Sequence, residues 1–112
     1  MPAAAQRRFL PSLAAVIFCA VLAPAAYAKE HKVSIKDVSF SPRELKVKKG
    51  DTVLWTNGDE RDHTVTADDG SFKSGNLGSG QTFTHKFKKP GTYPYSCTYH
   101  PRMKGTVTVA GN

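Results

Sequence analysis

The sequence predicts an all-β sandwich of about seven or eight short strands. Three observations carry that reading: apolar and polar residues alternate with period two from Val33 onward, turn residues recur at short intervals, and no stretch shows convincing helical periodicity. Val33 and Ile35 alternate with Lys32, Ser34 and Lys36, and Leu45 and Val47 with Glu44, Lys46 and Lys48, so each segment offers one apolar face. Gly50-Asp51 marks a turn. The next strand, Val53 to Thr56, carries the only tryptophan, Trp55, expected in the core. A polar turn, Asn57 to Asp62, leads to a short extended stretch, His63 to Thr66. Residues 67–80 hold four glycines among Asp and Ser, which reads as a loop-rich crossing with room for one short strand. Phe83, His85 and Phe87 alternate again, Pro90-Gly91 turns the chain, Tyr93 to Cys97 extends it, and Val107 and Val109 close the domain. Two sheets must bury these alternate residues against each other, with glycine-bearing loops gathered at the ends.

The N-terminus reads as an export signal. Arg7 and Arg8 precede an apolar run from Leu13 to Ala23, and the small-x-small triplet Ala26-Tyr27-Ala28 follows. A spanning helix needs about 20 apolar residues, so the run is too short to anchor the chain. The expectation is a cleaved secretory signal over 1–28 and a single domain over 29–112, with no stable membrane insertion after cleavage; an uncleaved anchor is the alternative. Removing 28 of 112 residues leaves 84, one small domain with a limited core. The charge of that part is 14 basic residues against nine acidic, a moderate +5 without any nucleic-acid motif. Cys19 departs with the signal, so the mature chain keeps one cysteine, Cys97. An unpaired cysteine in an oxidising compartment points to an intermolecular bond or to a thiol with chemistry of its own.

That cysteine opens the run Cys97-Thr98-Tyr99-His100-Pro101-Arg102-Met103. A thiolate, an imidazole and a thioether at three-residue intervals form a soft donor set, which favours copper over zinc, calcium or magnesium. The same spacing suits one face of a helix, but Pro101 would break that helix. With strand-like segments on both sides, Thr92 to Ser96 and Thr106 to Val109, the run is expected to be a loop. A buried cysteine that merely neighbours a histidine is the other reading, weakened by the export signal. For a further ligand, His31 lies at the mature N-terminus, where an exposed, solvated role is expected, and His85 shares a strand face with Phe83 and Phe87 as a packed structural residue. His63 begins a strand after a polar turn, and a ligand there would pin the C-terminal run to the body of the sandwich. His63, Cys97 and His100 with axial Met103 make the His₂Cys trigonal set of blue-copper centres.

The region from about Phe40 to Val109 resembles the cupredoxins of the plastocyanin and amicyanin group, in Gly50-Asp51-Thr52-Val53, Trp55-Thr56-Asn57, Asp62-His63-Thr64-Val65 and Gly91-Thr92-Tyr93-Pro94-Tyr95-Ser96-Cys97. The short Cys-x2-His-x2-Met run is similar to that of amicyanin. The resemblance implies a Greek-key β-sandwich binding one copper ion (Cu+/Cu2+) at one end through His63, Cys97, His100 and Met103. It also implies a hydrogen bond from Asn57 across to the ligand run near Thr98, although Asn57 serves equally as a turn residue. Its implied function is periplasmic electron transfer by a monomer that meets a redox-protein donor and acceptor in turn. His100 would then be the electron port, with Tyr99, Pro101 and Arg102 forming the docking rim. A periplasmic copper carrier or storage protein is the alternative function. Copper enzymes on related folds need further histidine clusters and domains, which four histidines cannot furnish. Lys86, Lys88 and Lys89, with Arg102 and Lys104 near the ligand run, read as solvated outward positions more readily than as a steering patch for an acidic partner.

Overall fold

The computed structural model describes residues 27–111, so all but the last two residues of the expected signal lie outside the described residues. Eight strands follow in order: β1 (Glu30–Lys36), β2 (Ser39–Ser41), β3 (Glu44–Lys48), β4 (Thr52–Asn57), β5 (Thr66–Ala67), β6 (Thr82–Lys86), β7 (Gly91–Cys97) and β8 (His100–Ala110). They form two four-stranded sheets, ordered β2-β1-β4-β6 and β3-β8-β7-β5. The chain crosses between sheets after β2, β3, β4, β5 and β6, the Greek-key pattern that the resemblance implied. Those crossovers make β1 parallel to β4 and β3 parallel to β8, while the hairpin-linked pairs are antiparallel. Among the described residues no helix is long and apolar enough to cross a membrane.

The alternation in the sequence becomes the core. Val33 and Ile35 of β1 and Val53 and Trp55 of β4 face Val47 of β3, Tyr95 of β7 and Val107 and Val109 of β8, all buried. Trp55 is fully enclosed, with ring centroids 5.7 Å from Phe72, 5.6 Å from Phe83 and 5.4 Å from Tyr95. Phe72 and Leu77 are buried too, although they sit in the glycine-rich crossing that reads as loop-rich with room for one short strand. His85 is packed as expected, its ring 4.9 Å from Phe72 and 4.7 Å from Phe87, and burial pushes its pKa down.

Tyr95 lies across Gly105, its partner in the β7–β8 ladder, and a Cβ at Gly105 would meet the phenol Cζ and Oη at 2.5 Å. A ring that is only 1% exposed has little room to retreat. Gly105→Ala is therefore expected to destabilise the fold by about 1–3 kcal/mol, as overpacking of a filled core does. Chemical denaturation of the variant checks this; an unchanged midpoint would contradict it.

The end of the sandwich formed by the start of β4 is closed by Asp51. Its carboxylate accepts the Lys48 N–H at 3.0 Å, the Lys29 N–H at 3.0 Å and His31 Nε2–H at 2.9 Å. His31 is thus not the solvated residue expected from its position: its side chain is 16% exposed, because β1 runs parallel to β4 and sets it beside Asp51. The Lys48 N–H above all, then His31 and Lys29, hold the Asp51 carboxyl down at about 2 against the opposing effect of burial. A carboxyl depressed in the folded state stabilises the fold above its ordinary pKa near 3.8, and that contribution is lost as pH falls through about 2. Asp51→Asn should accordingly lower stability at neutral pH, with the difference from wild type shrinking between about pH 4 and pH 2. Denaturant titrations across that range test it; a difference that stays constant would contradict the assignment.

Lys86 pairs with Thr52 at this same end, and Lys88 and Lys89 follow it, all exposed. Asn57, at the other end of β4, leads to His63. The lysine cluster therefore lies away from the ligand residues, as solvated outward positions do.

Candidate metal centre

The ligand end is built by three segments. His63 follows the polar turn after β4 and is fixed by a reciprocal pair of backbone bonds with Leu77, His63 N–H to Leu77 O at 3.0 Å and Leu77 N–H to His63 O at 2.8 Å. Cys97 ends β7, and His100 begins β8 after a turn at Thr98 and Tyr99. This corrects the expected loop: His100 and Met103 stand on a strand. The ladder jumps from Ser96↔Lys104 to Cys97↔His100 and steps over Pro101, Arg102 and Met103. Such an irregularity is where a strand tolerates proline, since no ladder donor is needed there.

His63, Cys97 and His100 bring their donor atoms within 4.8 Å of one another. Cys97 Sγ lies 3.8 Å from His63 Nδ1 and 3.6 Å from His100 Nδ1. Metal bonds of about 2.0 Å to nitrogen and about 2.3 Å to sulfur, set at trigonal angles, separate the donors by roughly 3.7 Å. The three residues therefore fit a shared ion. Met103 is 3% exposed and lines a depression with Val38, Tyr99, His100, Pro101 and Arg102, which sets a buried thioether beside His100. His63 is fully buried and His100 half-buried, so the set opens to the surface at His100.

The surrounding hydrogen bonds prepare each ligand. His63 Nε2 lies 2.8 Å from Asp59 Oδ2, and donation of its N–H to that carboxylate leaves the Nδ1 lone pair facing Cys97. The Asp59 carboxyl is held at about 2, chiefly by the Val38 N–H, with His63 and the Asp37 N–H adding to it and desolvation opposing. Thr64 N–H donates to Cys97 Sγ at 3.3 Å, and Thr64 Oγ1 accepts the Thr98 N–H at 2.8 Å. Thr64 also contacts the Thr98 hydroxyl, Oγ1 to Oγ1, at 3.2 Å.

The tie between the two ligand-bearing segments is therefore made by Thr64 and not by Asn57. Asn57 Nδ2 donates to the carbonyls of Arg61 and Leu77, both at 2.9 Å, and Asn57 Oδ1 accepts the Asp59 N–H at 2.9 Å. Its side chain braces its own turn through Arg61 and Asp59 and ties that turn to Leu77, the backbone partner of His63, rather than to the Cys97–Met103 run. Sequence reading missed both Thr64 and Asp59. Thr64 carried a usable signal, its position immediately after a ligand, while an Asp in a polar turn carries none. Tyr99 is 51% exposed, its hydroxyl donating to Asn76 Oδ1 at 2.8 Å, and Pro101 and Arg102 are exposed beside it.

A mixed-sheet β-sandwich carrying buried His, Cys and Met donors with a second His at its rim defines a mononuclear copper-binding domain. The chain belongs to the cupredoxin family: the model of the cupredoxin-like domain matches residues 9–109. His63, Cys97, His100 and Met103 form its ligand set for one copper ion. Among curated relatives, amicyanin-alpha of Methylorubrum extorquens is 38% identical over 118 residues, covering 90% of this chain and 95% of that protein. The amicyanin of Paracoccus denitrificans is 35% identical over 82 residues, covering 69% of this chain and 63% of its own length. Solved structures agree. A purple cupredoxin from Nitrosopumilus maritimus superposes with a TM-score of 0.67 at 32% identity, over 71% of this chain and 99% of that one. An oxidised methionine-to-leucine mutant of amicyanin gives 0.68 at 34% identity, over 71% of this chain and 81% of that one.

Proposed function

We propose that this protein is a periplasmic electron carrier that shuttles single electrons between a redox-protein donor and acceptor, without catalysing a reaction of its own. The observation that carries the reading is the position of Cys97 Sγ, buried and 3.6–3.8 Å from two imidazole nitrogens, a soft trigonal set that suits copper. Bound copper supplies a one-electron couple. The chain supplies the rest. Thr64 N–H orients the sulfur and the Asp59 carboxylate orients His63, so two of the donors are held in place by hydrogen bonds. Side chains held in this way change little between oxidation states, which keeps reorganisation small.

His100 stands at the rim of the site, and Tyr99, Pro101 and Arg102 surround it with an exposed surface of mixed apolar and basic character. That surface suits a small interface of the kind used in brief redox encounters. The export signal read over residues 1–28 and the amicyanins among the relatives support a periplasmic location.

Protein-film voltammetry of the copper-loaded protein, run with a Cu(I) chelator in solution, tests the proposal. A reversible one-electron couple that survives many cycles is expected. Loss of copper to the chelator on the first reduction would instead identify a carrier that hands over its metal.

A further inference from the structure

Asp59 stands where two parts of the site meet. Its Oδ2 lies 2.8 Å from His63 Nε2 and accepts the Val38 N–H at 2.9 Å, and its Oδ1 accepts the Asp37 N–H at 2.7 Å. Asp37 and Val38 form the turn between β1 and β2 with φ of 52° and 55°. The left-handed region is unfavourable for a β-branched residue such as valine, so this turn needs a partner to hold it. Two successive N–H groups converging on one carboxylate provide that partner. Val38 then lines the depression beside His100 and Met103. Asp59 is itself fixed from behind, its N–H held by Asn57, whose amide is anchored to Arg61 and Leu77. Among the described residues no lysine or arginine forms an ion pair with it, and the nearby Lys36 Nζ donates to the Gly58 carbonyl.

We infer that Asp59 is a positioning residue for the copper centre that sets its reduction potential: it holds His63 as the Nε2–H tautomer, places a fixed negative charge behind that ligand, and clamps Val38 in the wall of the depression that Met103 also lines. The inference rests on the copper reading of the site. A carboxylate hydrogen-bonded to the far nitrogen of a ligating imidazole makes the ligand more basic, and it favours the more highly charged metal state. Copper in this protein is therefore held toward Cu(II) relative to a centre without Asp59.

Two measurements test it. In the metal-free wild-type protein, nitrogen chemical shifts should show His63 protonated at Nε2; protonation at Nδ1 would overturn the inference without any variant having to fold. In the copper-loaded protein, Asp59→Asn should raise the potential by the equivalent of about a tenfold change in the Cu(I)/Cu(II) ratio, 59 mV for one electron. Asp59→Glu should recover most of the shift. A purely structural role would instead broaden the visible and EPR signals without a consistent change in potential. An unchanged potential in an Asp59→Asn protein with an intact blue centre would overturn the inference. Failure of the copper reading is distinguishable from this, because it appears in the wild-type spectrum and leaves the His63 tautomer measurement standing.

Discussion

Cys97→Ser is expected to abolish the visible absorption of the copper-loaded protein while leaving the fold intact. An intense visible band requires a short Cu(II)–thiolate bond, and Cys97 is the only free cysteine among the described residues. A serine hydroxyl is a hard donor that stays protonated at neutral pH, so it replaces neither the softness nor the charge of the sulfur. The cost to the fold is small by comparison. Serine is nearly isosteric, and its oxygen can still accept the Thr64 N–H that now reaches Cys97 Sγ at 3.3 Å. Copper affinity in the reduced state should fall most, since Cu(I) prefers sulfur. Absorption spectra and copper titrations of the variant, with circular dichroism as a control, check the result. A variant that keeps its band would move the thiolate out of the site.

Trp55→Ala should have the largest effect on stability. Its side chain is fully buried between the sheets and packed against Phe72, Phe83 and Tyr95, so the loss is chiefly one of packing. Truncating a buried tryptophan costs about 3–5 kcal/mol. Domains of this kind hold about 5–15 kcal/mol in all, and a small one lies toward the lower end. The expected fall in melting temperature is on the order of 10–20 °C or more. The effect should reach the metal centre as well. Tyr95 rests edge-on against Trp55 with ring centroids 5.4 Å apart, and it stands two residues before Cys97 on β7. A cavity at Trp55 lets that strand relax, and the visible band should broaden even below the melting transition. Calorimetry and absorption spectra on the same sample measure both. A melting temperature within a few degrees of wild type would contradict the packing account.

Most of the architecture was legible because the strands are amphipathic. The alternation through Val33 and Ile35, Leu45 and Val47, and Val107 and Val109 reports which face of each strand is buried, and that depends only on neighbours in sequence. The short β2 escaped notice, since three residues around Phe40 are too few to show a period. Phe72 and Leu77 were illegible for another reason. They stand alone among glycines and polar residues, and only the fold of the crossing turns them inward. The donor residues could be read from their chemistry and spacing, with His63 chosen by its place at the start of an extended stretch. What lies behind them could not. The bonds from Asp59 to His63 and from Thr64 to Cys97 and Thr98, and the pairing of His31 with Asp51, depend on how separate strands are placed in register. The assignment of the cross-tie to Asn57 failed on the same ground, because its amide is taken by Arg61 in its own turn and by the distant Leu77 carbonyl.

His63, Cys97, His100 and Met103 are expected to hold one copper ion as a blue electron-transfer centre. Reconstituting the metal-free protein with one equivalent of Cu(II) and recording its visible absorption and EPR spectra decides whether they do. An intense visible band accompanied by an EPR signal distinct from that of ordinary tetragonal Cu(II) is the predicted result. A colourless protein with an ordinary tetragonal signal would contradict it.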